Sequence, residues 1–201
     1  MYSSDRSRDK NPLYPDHLSE RIAAYIKADS WNESQRIVEQ YPELLTDEAD
    51  ELLNIVQPDV AVFGQKDAQQ ALLIRCLVDD LDFPVEVAVA PTVREPDGVA
   101  MSSRNAYLTD EQRRAAPALH RALERGAAMV RLGETDPGRV EAAMAETVSE
   151  STLLALEYVR CVDAADLSRP ETIVRPVLLA LAVHAGDTRL IANVLVSPVG
   201  E

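Results

Sequence analysis

Residues 58–91 read "PDVAVFGQKDAQQALLIRCLVDDLDFPVEVAVAP", and the parsing of this stretch decides the fold. "DVAVFG" is a short apolar run, and "PVEVAVAP" is a second one rich in valine; both have the composition of strands. Between them "AQQALLIRCLVDDL" reads as a helix, with Asp67 placed to cap its N-terminus. Strand, helix and strand joined by short links make a βαβ unit, which implies parallel pairing and a right-handed crossover. One such unit cannot bury both faces of its sheet. An edge and an apolar face therefore need cover from the preceding segment or from a partner chain.

The junction between the first strand and the helix, "FGQKDAQQ" (63–70), crowds a lysine, an aspartate and glutamines into one turn. A helix N-terminus presents unpaired N–H groups and a partial positive charge. Lys66 adds a full positive charge there, which favours a phosphate or a carboxylate. Gly64 lets a ligand approach the backbone closely. Asp67 can accept from ribose hydroxyls or cap the helix, and Gln69 and Gln70 carry both donors and acceptors, as a hydroxy acid requires. Taken alone, the turn is equally consistent with a capped helix and a solvated lysine.

A second polar cluster, "MSSRN" (101–105), sets two hydroxyls before a guanidinium. That order suits a polyphosphate, with the arginine fork gripping oxygens. The Gly-containing approach "PDGVA" predicts a flexible loop able to close over a ligand. A serine turn before a helix explains the same residues.

Composition limits the partners. The chain has 201 residues, a net charge of −14 and 46% hydrophobic residues, enough for one ordinary domain or two small ones with a filled core. Only 4% are aromatic, so the core is built from Leu, Val, Ala and Ile. The negative field argues against nucleic acid and anionic membranes as partners. It leaves room for a small anion in a locally basic pocket. Cys76 and Cys161 both sit in apolar segments and read as reduced, buried thiols of a cytoplasmic protein. No apolar run approaches membrane-spanning length, and "MYSSDRSRDKNP" has no signal-peptide core. His17, His120 and His184 are far apart in sequence and read as surface or packing residues, so no metal site is expected.

Residues 1–14 are polar and read as a disordered leader. Residues 15–53 are acidic and helical in pattern, as in "LSERIAAYIKA" with Leu18, Ile22, Tyr25 and Ile26 on one face. After the second strand, Thr109 and Gln112 form a capping box for "YLTDEQRRAAPALHRALERGAAMVRLG". Pro117 kinks or splits that helix, and Gly133 closes it. Asp136 and Pro137 start another helix. The tail is β-rich: "LEYVRCVDA", then "VLLALAVHAG" and "TRLIANVLV" as a hairpin turning at Gly186-Asp187. The expected class is α/β: helices first, a partial Rossmann-like βαβ unit over 54–92, then a small α+β domain with a short antiparallel sheet over 93–201.

Together "NIVQPDVAVFGQKDAQQALLIRCLV" and "PTVREPDGVAMSSRNAYLTDEQRRAAPAL" resemble, in order and spacing, two signatures of the pantoate–β-alanine ligase (pantothenate synthetase) family. "GDTRLIANV" fits that family's closing hairpin, so the resemblance runs from about Asn54 to the C-terminus. It implies a two-step reaction. Pantoate carboxylate attacks the α-phosphate of ATP, carried with Mg²⁺, to give pantoyl-adenylate and pyrophosphate; the β-alanine amine then displaces AMP. It also implies roles. Lys66 holds ATP phosphates; Asp67 and the Gly64 backbone hold ribose; Gln70 orients pantoate; Val93 meets adenine through its backbone. Met101, Ser102, Ser103 and Arg104 form the phosphate-gripping loop, similar to the KMSKS loop of related adenylating enzymes. The family also carries a His-x-Gly-His motif in an N-terminal half, and no such motif occurs in this chain. The expectation is therefore of a truncated or fused chain, joined near Leu53–Asn54, with a second polypeptide as one source of the other half. The preceding segment is similar to helical segments of tetratricopeptide-type and CHAT-associated proteins.

Overall fold

The structure, a computed structural model, describes residues 52–199. The leader expected over 1–14 and most of the helical segment expected over 15–53 lie outside these residues. Residues 52–56 are helical and lead into the first strand.

The decisive stretch folds as its pattern predicts. Strand β1 (Val60–Gly64) pairs in parallel with β2 (Glu86–Ala90), from Val60↔Glu86 to Gly64↔Ala90. Helix α1 (Ala68–Asp80) connects them. It buries Ala71, Ile74, Leu77 and Val78, a spacing that puts all four on one face. Ala61, Phe63, Val85 and Val87 pack against this cluster from the sheet side. Val60 and Val62 point the other way and are exposed, Val62 by 67%. Among the described residues this apolar face stays exposed, as expected of a two-stranded parallel unit.

The polar turn differs in detail from its reading. Gln65–Asp67 form a 3-10 turn before α1 begins. Asp67 occupies the cap position, but its side chain makes no capping hydrogen bond. Its backbone lies at φ −100°, ψ 58°, outside the extended conformation from which a cap side chain reaches the amides of the next turn. The expectation that Asp67 caps the helix is therefore corrected, and its carboxylate is exposed.

Helices α2 (Asp110–Ala115), α3 (Pro117–Arg131) and α4 (Pro137–Ser149) follow. The capping box forms in full: Thr109 Oγ1 accepts from Gln112 N at 3.2 Å, and Gln112 Oε1 accepts from Thr109 N at 2.9 Å. Removing a cap of this kind costs about 1 kcal/mol. Thr109→Ala should lower stability by that amount in urea melts with an unchanged slope, and a neutral result would show that the box is ornamental. Pro117 splits the long helical pattern, starting α3 with the residue that lacks an N–H. Gly133 takes φ +96° after α3, the left-handed turn a helix end favours. Asp136 accepts from Gly138 N at 2.8 Å and caps α4.

Strands β3 (Ala155–Asp163), β4 (Val177–Ala185) and β5 (Thr188–Val196) form an antiparallel sheet in that order. The β4–β5 pair closes tightly, with Ala185 opposite Thr188. β4 is central and almost wholly buried, which explains its unbroken apolar run "VLLALAV". Helices α3 and α4 contribute Leu123, Val130, Val140 and Met144 to the same core as Leu179 and Leu181. Cys161 lies fully buried in this core, and burial pushes its thiol up to about 12. Cys76, expected to be buried, is half-buried on α1. Among the described residues no helix is long and apolar enough to cross a membrane.

Candidate active site

Strand β5 packs against both short 3-10 turns, the one that carries Lys66 and a second over Ser103–Tyr107 that carries Arg104. This contact brings the two polar clusters of the sequence together. Between them opens a cleft continuous with solvent. Lys66, Ser102 and Arg104 line it, as do Arg94, Asn105, His120 and Arg189.

The cleft is cationic within an acidic chain. Lys66 is half-buried, and desolvation holds its amine below the ordinary lysine range; Asp67 opposes that shift, and the nearby positive charge of Arg104 adds to it. Its ammonium donates to the Met101 carbonyl at 3.4 Å, a long contact. Burial likewise lowers Arg94. Arg189 is held by both oxygens of Glu157, at 2.7 and 2.9 Å. Lys66 and Arg104 thus line one cleft as like charges, and an anion between them would relieve their repulsion.

The "PDGVA" approach differs most from its reading. It is a braced turn, not a loose one. Gly98 N donates to Glu95 O and Glu95 N donates to Val99 O, at 2.9 and 2.8 Å, and Arg94 bridges to Ala100. Arg113 on α2 then grips Glu95 and Asp97, each at 2.6 Å. Asn105 donates to Glu95 at 2.9 Å and to the Ala100 carbonyl at 3.1 Å. A helix therefore reaches over the loop and ties it down, a contact its glycine and proline content does not report.

Arg113 holds the carboxyls of Glu95 and Asp97 below their usual range, chiefly through its hydrogen bonds to them. Their folded-state values are depressed, so this brace stabilises the loop at neutral pH and is lost as pH falls through those values. The melting-temperature gap between wild type and Arg113→Gln should therefore narrow below about pH 4. A gap that stays constant down to acid pH would show that the ion pairs do not brace the loop.

Ser102 caps the second 3-10 turn, accepting from Arg104 N at 3.3 Å. Ser103 opens that turn without lining the cleft. Met101 is 57% exposed, and its N–H donates to the Val93 carbonyl at 2.9 Å. Gly64 ends β1, and a side chain added there would meet nothing within 4 Å. Asp67 and Gln70 are exposed. These residues, with Val93, lie outside the cleft lining, so the structure gathers Lys66, Ser102 and Arg104 more closely than the rest.

Sequence reading missed Arg94, Asn105, His120, Arg189 and Asn193. Four buried polar atoms among the described residues have no partner within the protein: Thr92 Oγ1, Asn105 Oδ1, His120 Nδ1 and Asn193 Oδ1. Asn105 and His120 line the cleft, and Asn193 bonds to the Lys66 turn beside it. Buried polar groups are nearly always paired, so such a concentration marks a polar site. His120, read from sequence as a surface or packing residue, packs its ring against Gly98 and also lines this cleft.

A family model described as pantoate-beta-alanine ligase matches residues 44–195. The chain belongs to that family. A pantothenate synthetase of Moorella thermoacetica is 53% identical over 144 residues, which are 72% of this chain and 51% of that relative. The crystal structure of a pantothenate synthetase from Thermus thermophilus superposes with a TM-score of 0.71 at 38% identity, covering 74% of this chain and 54% of that one. The pantoate-beta-alanine ligase of Francisella tularensis, complexed with beta-gamma ATP and beta-alanine, superposes with a TM-score of 0.54 at 26% identity, over 75% and 49% of the two chains. The chain thus spans about half the length of the curated relatives it matches. The parallel pair and the separate three-stranded sheet of the pantoate-beta-alanine ligase fold are the two sheets seen here.

Proposed function

We propose that this chain binds Mg²⁺–ATP in the cationic cleft and serves the cytoplasmic condensation of pantoate with β-alanine through pantoyl-adenylate. One observation carries the reading: Lys66 and Arg104 sit near each other beside Ser102, where a phosphate chain would relieve their repulsion. Lys66, Ser102, Ser103 and Arg104 hold the phosphates, and the Met101 backbone sets the start of their loop. Asp67 and Gly64 meet ribose, Val93 meets adenine, and Gln70 meets pantoate. The chemistry is positioning plus neutralisation of charge on phosphoryl oxygens. Mg²⁺ arrives with ATP, bound to its phosphates.

The chain contains no His-x-Gly-His, so its own residues carry nucleotide binding more fully than catalysis. A second polypeptide carrying that motif is one route to the full reaction. A non-catalytic nucleotide-binding module is the other reading that the same absence favours. Two measurements separate them. Ligand that binds only the native state raises the melting temperature, by an amount worth about 2.7 kcal/mol at a hundredfold excess over Kd. Millimolar Mg²⁺–ATP should therefore raise the melting temperature of wild type but not of Lys66→Ala; no rise in either would sink the nucleotide site. Pyrophosphate release from ATP, Mg²⁺ and pantoate, set against Lys66→Ala, then tests adenylation. Binding without release above that control identifies a binding module.

A further inference from the structure

Asn193 lies on β5, opposite Ala180 of β4, and is 5% exposed. Its side chain does not serve the sheet. The Nδ2 group donates to the carbonyls of Gln65 and Lys66, both at 2.9 Å, across 128 and 127 positions of sequence. The amide orientation is set by chemistry, because a flipped amide would aim its oxygen at two other oxygens. The main chain of the same residue is also engaged. Its carbonyl accepts from Arg94 Nη2 at 2.9 Å, while Arg94 Nη1 donates to the Gly98 carbonyl at 3.1 Å. Asn193 therefore touches both walls of the cleft: the turn that carries Lys66, and through Arg94 the braced loop that leads to Ser102 and Arg104.

We infer that Asn193 is a positioning residue, a latch from the closing hairpin that fixes the Lys66 turn relative to the serine–arginine loop. Three features support this assignment over a merely structural role. A buried asparagine that only filled the sheet would leave its side-chain donors to the nearest strand, yet both go to successive carbonyls of the turn. Those carbonyls belong to a 3-10 turn of three residues, which has few internal bonds to hold it in place. The Lys66 contact to Met101 is long, so the lysine depends on its backbone for placement. Releasing the turn would let the ammonium swing out to water, away from Arg104.

The nucleotide arm of the test rests on the function proposed above; two ligand-free arms do not. Asn193→Leu keeps the branched outline of the side chain, in a somewhat larger volume, and removes the donor without adding charge. In the absence of ligand, hydrogen exchange of residues 64–70 should quicken selectively, with the three-stranded sheet still protected. NMR titration of the Lys66 amine should move back towards the ordinary lysine value as the group regains water. A folded variant with unchanged exchange in 64–70 and unchanged Lys66 titration overturns the latch. Should Asn193→Leu not fold, Asn193→Thr, with a strand-favouring side chain too short to reach both carbonyls, carries the same measurements. In calorimetry, Mg²⁺–ATP affinity should fall on the order of tenfold to 100-fold, the worth of the charge-assisted phosphate contact that the displaced lysine no longer makes. Adenosine, which the same turn meets only through its ribose, should lose less. Unchanged Mg²⁺–ATP affinity in the folded variant would overturn the positioning role. If wild type shows no ATP affinity, the proposed function fails, and the latch is judged by the exchange and titration results.

Discussion

Lys66→Met should weaken Mg²⁺–ATP binding by about 10–100-fold, the worth of a charge-assisted contact of about 1.5–3 kcal/mol. The same change should leave the melting temperature of the free protein unchanged or higher. The two effects have one origin. Lys66 is half-buried, and desolvation lowers its amine more than the neighbouring Asp67 raises it, with Arg104 adding a smaller repulsion, so its charge is held at a cost in the free protein. Methionine keeps the length of the stem and removes the charge. A phosphate chain between the two cations would reverse the sign of the interaction and make the lysine favourable. Calorimetry with Mg²⁺–ATP measures the first effect and thermal unfolding without ligand the second. A variant that bound ATP as wild type does would remove Lys66 from the site; one that lost several degrees of stability without ligand would make it a structural residue.

Gly98→Ala should destabilise the protein by about 2–5 kcal/mol, from left-handed backbone strain together with overpacking. Gly98 has φ +89°, and an added Cβ would stand 2.0 Å from Cδ2 and 2.6 Å from Cγ of His120. The ring would have to leave its place in the cleft, or the turn would have to open against the grip of Arg113 on Glu95 and Asp97. The two parts of the cost separate in a double-mutant cycle. Gly98→Ala in a His120→Ala background should retain the backbone strain alone, about 1–3 kcal/mol. Equal costs in the two backgrounds, read from urea melts, would show that the contact with His120 carries none of the penalty.

Local pattern made much of the fold legible. The βαβ unit follows from "DVAVFG" and "PVEVAVAP" with one amphipathic helix between them. The capping box at Thr109–Gln112, the split at Pro117 and the hairpin at Gly186-Asp187 each lie within a few residues of their signal. All depend on backbone chemistry that neighbouring residues control. The polar cluster at Lys66 and the serine–arginine cluster were legible too, as concentrations of charge and hydroxyl in loops. Where reading failed, the cause lay in how the chain packs. Asp67 lost its cap because the preceding residues wind into a 3-10 turn. "PDGVA", loose by composition, is tied to α2 by Arg113. Cys76, in an apolar run, is half-buried because, among the described residues, the sheet covers one side of α1.

The sequence by itself determined the family, the order of elements and the chemistry of the two polar clusters, because periodicity, caps and motif spacing are properties of adjacent residues. The tertiary structure alone decided how those clusters meet. Only when β5 packs against both 3-10 turns do Lys66 and Arg104 come near each other, His120 fold against Gly98, and Asn193 grip the carbonyls of Gln65 and Lys66. Such contacts join residues as many as 128 positions apart, and a hydrogen bond across that separation leaves no periodic trace in the chain that makes it.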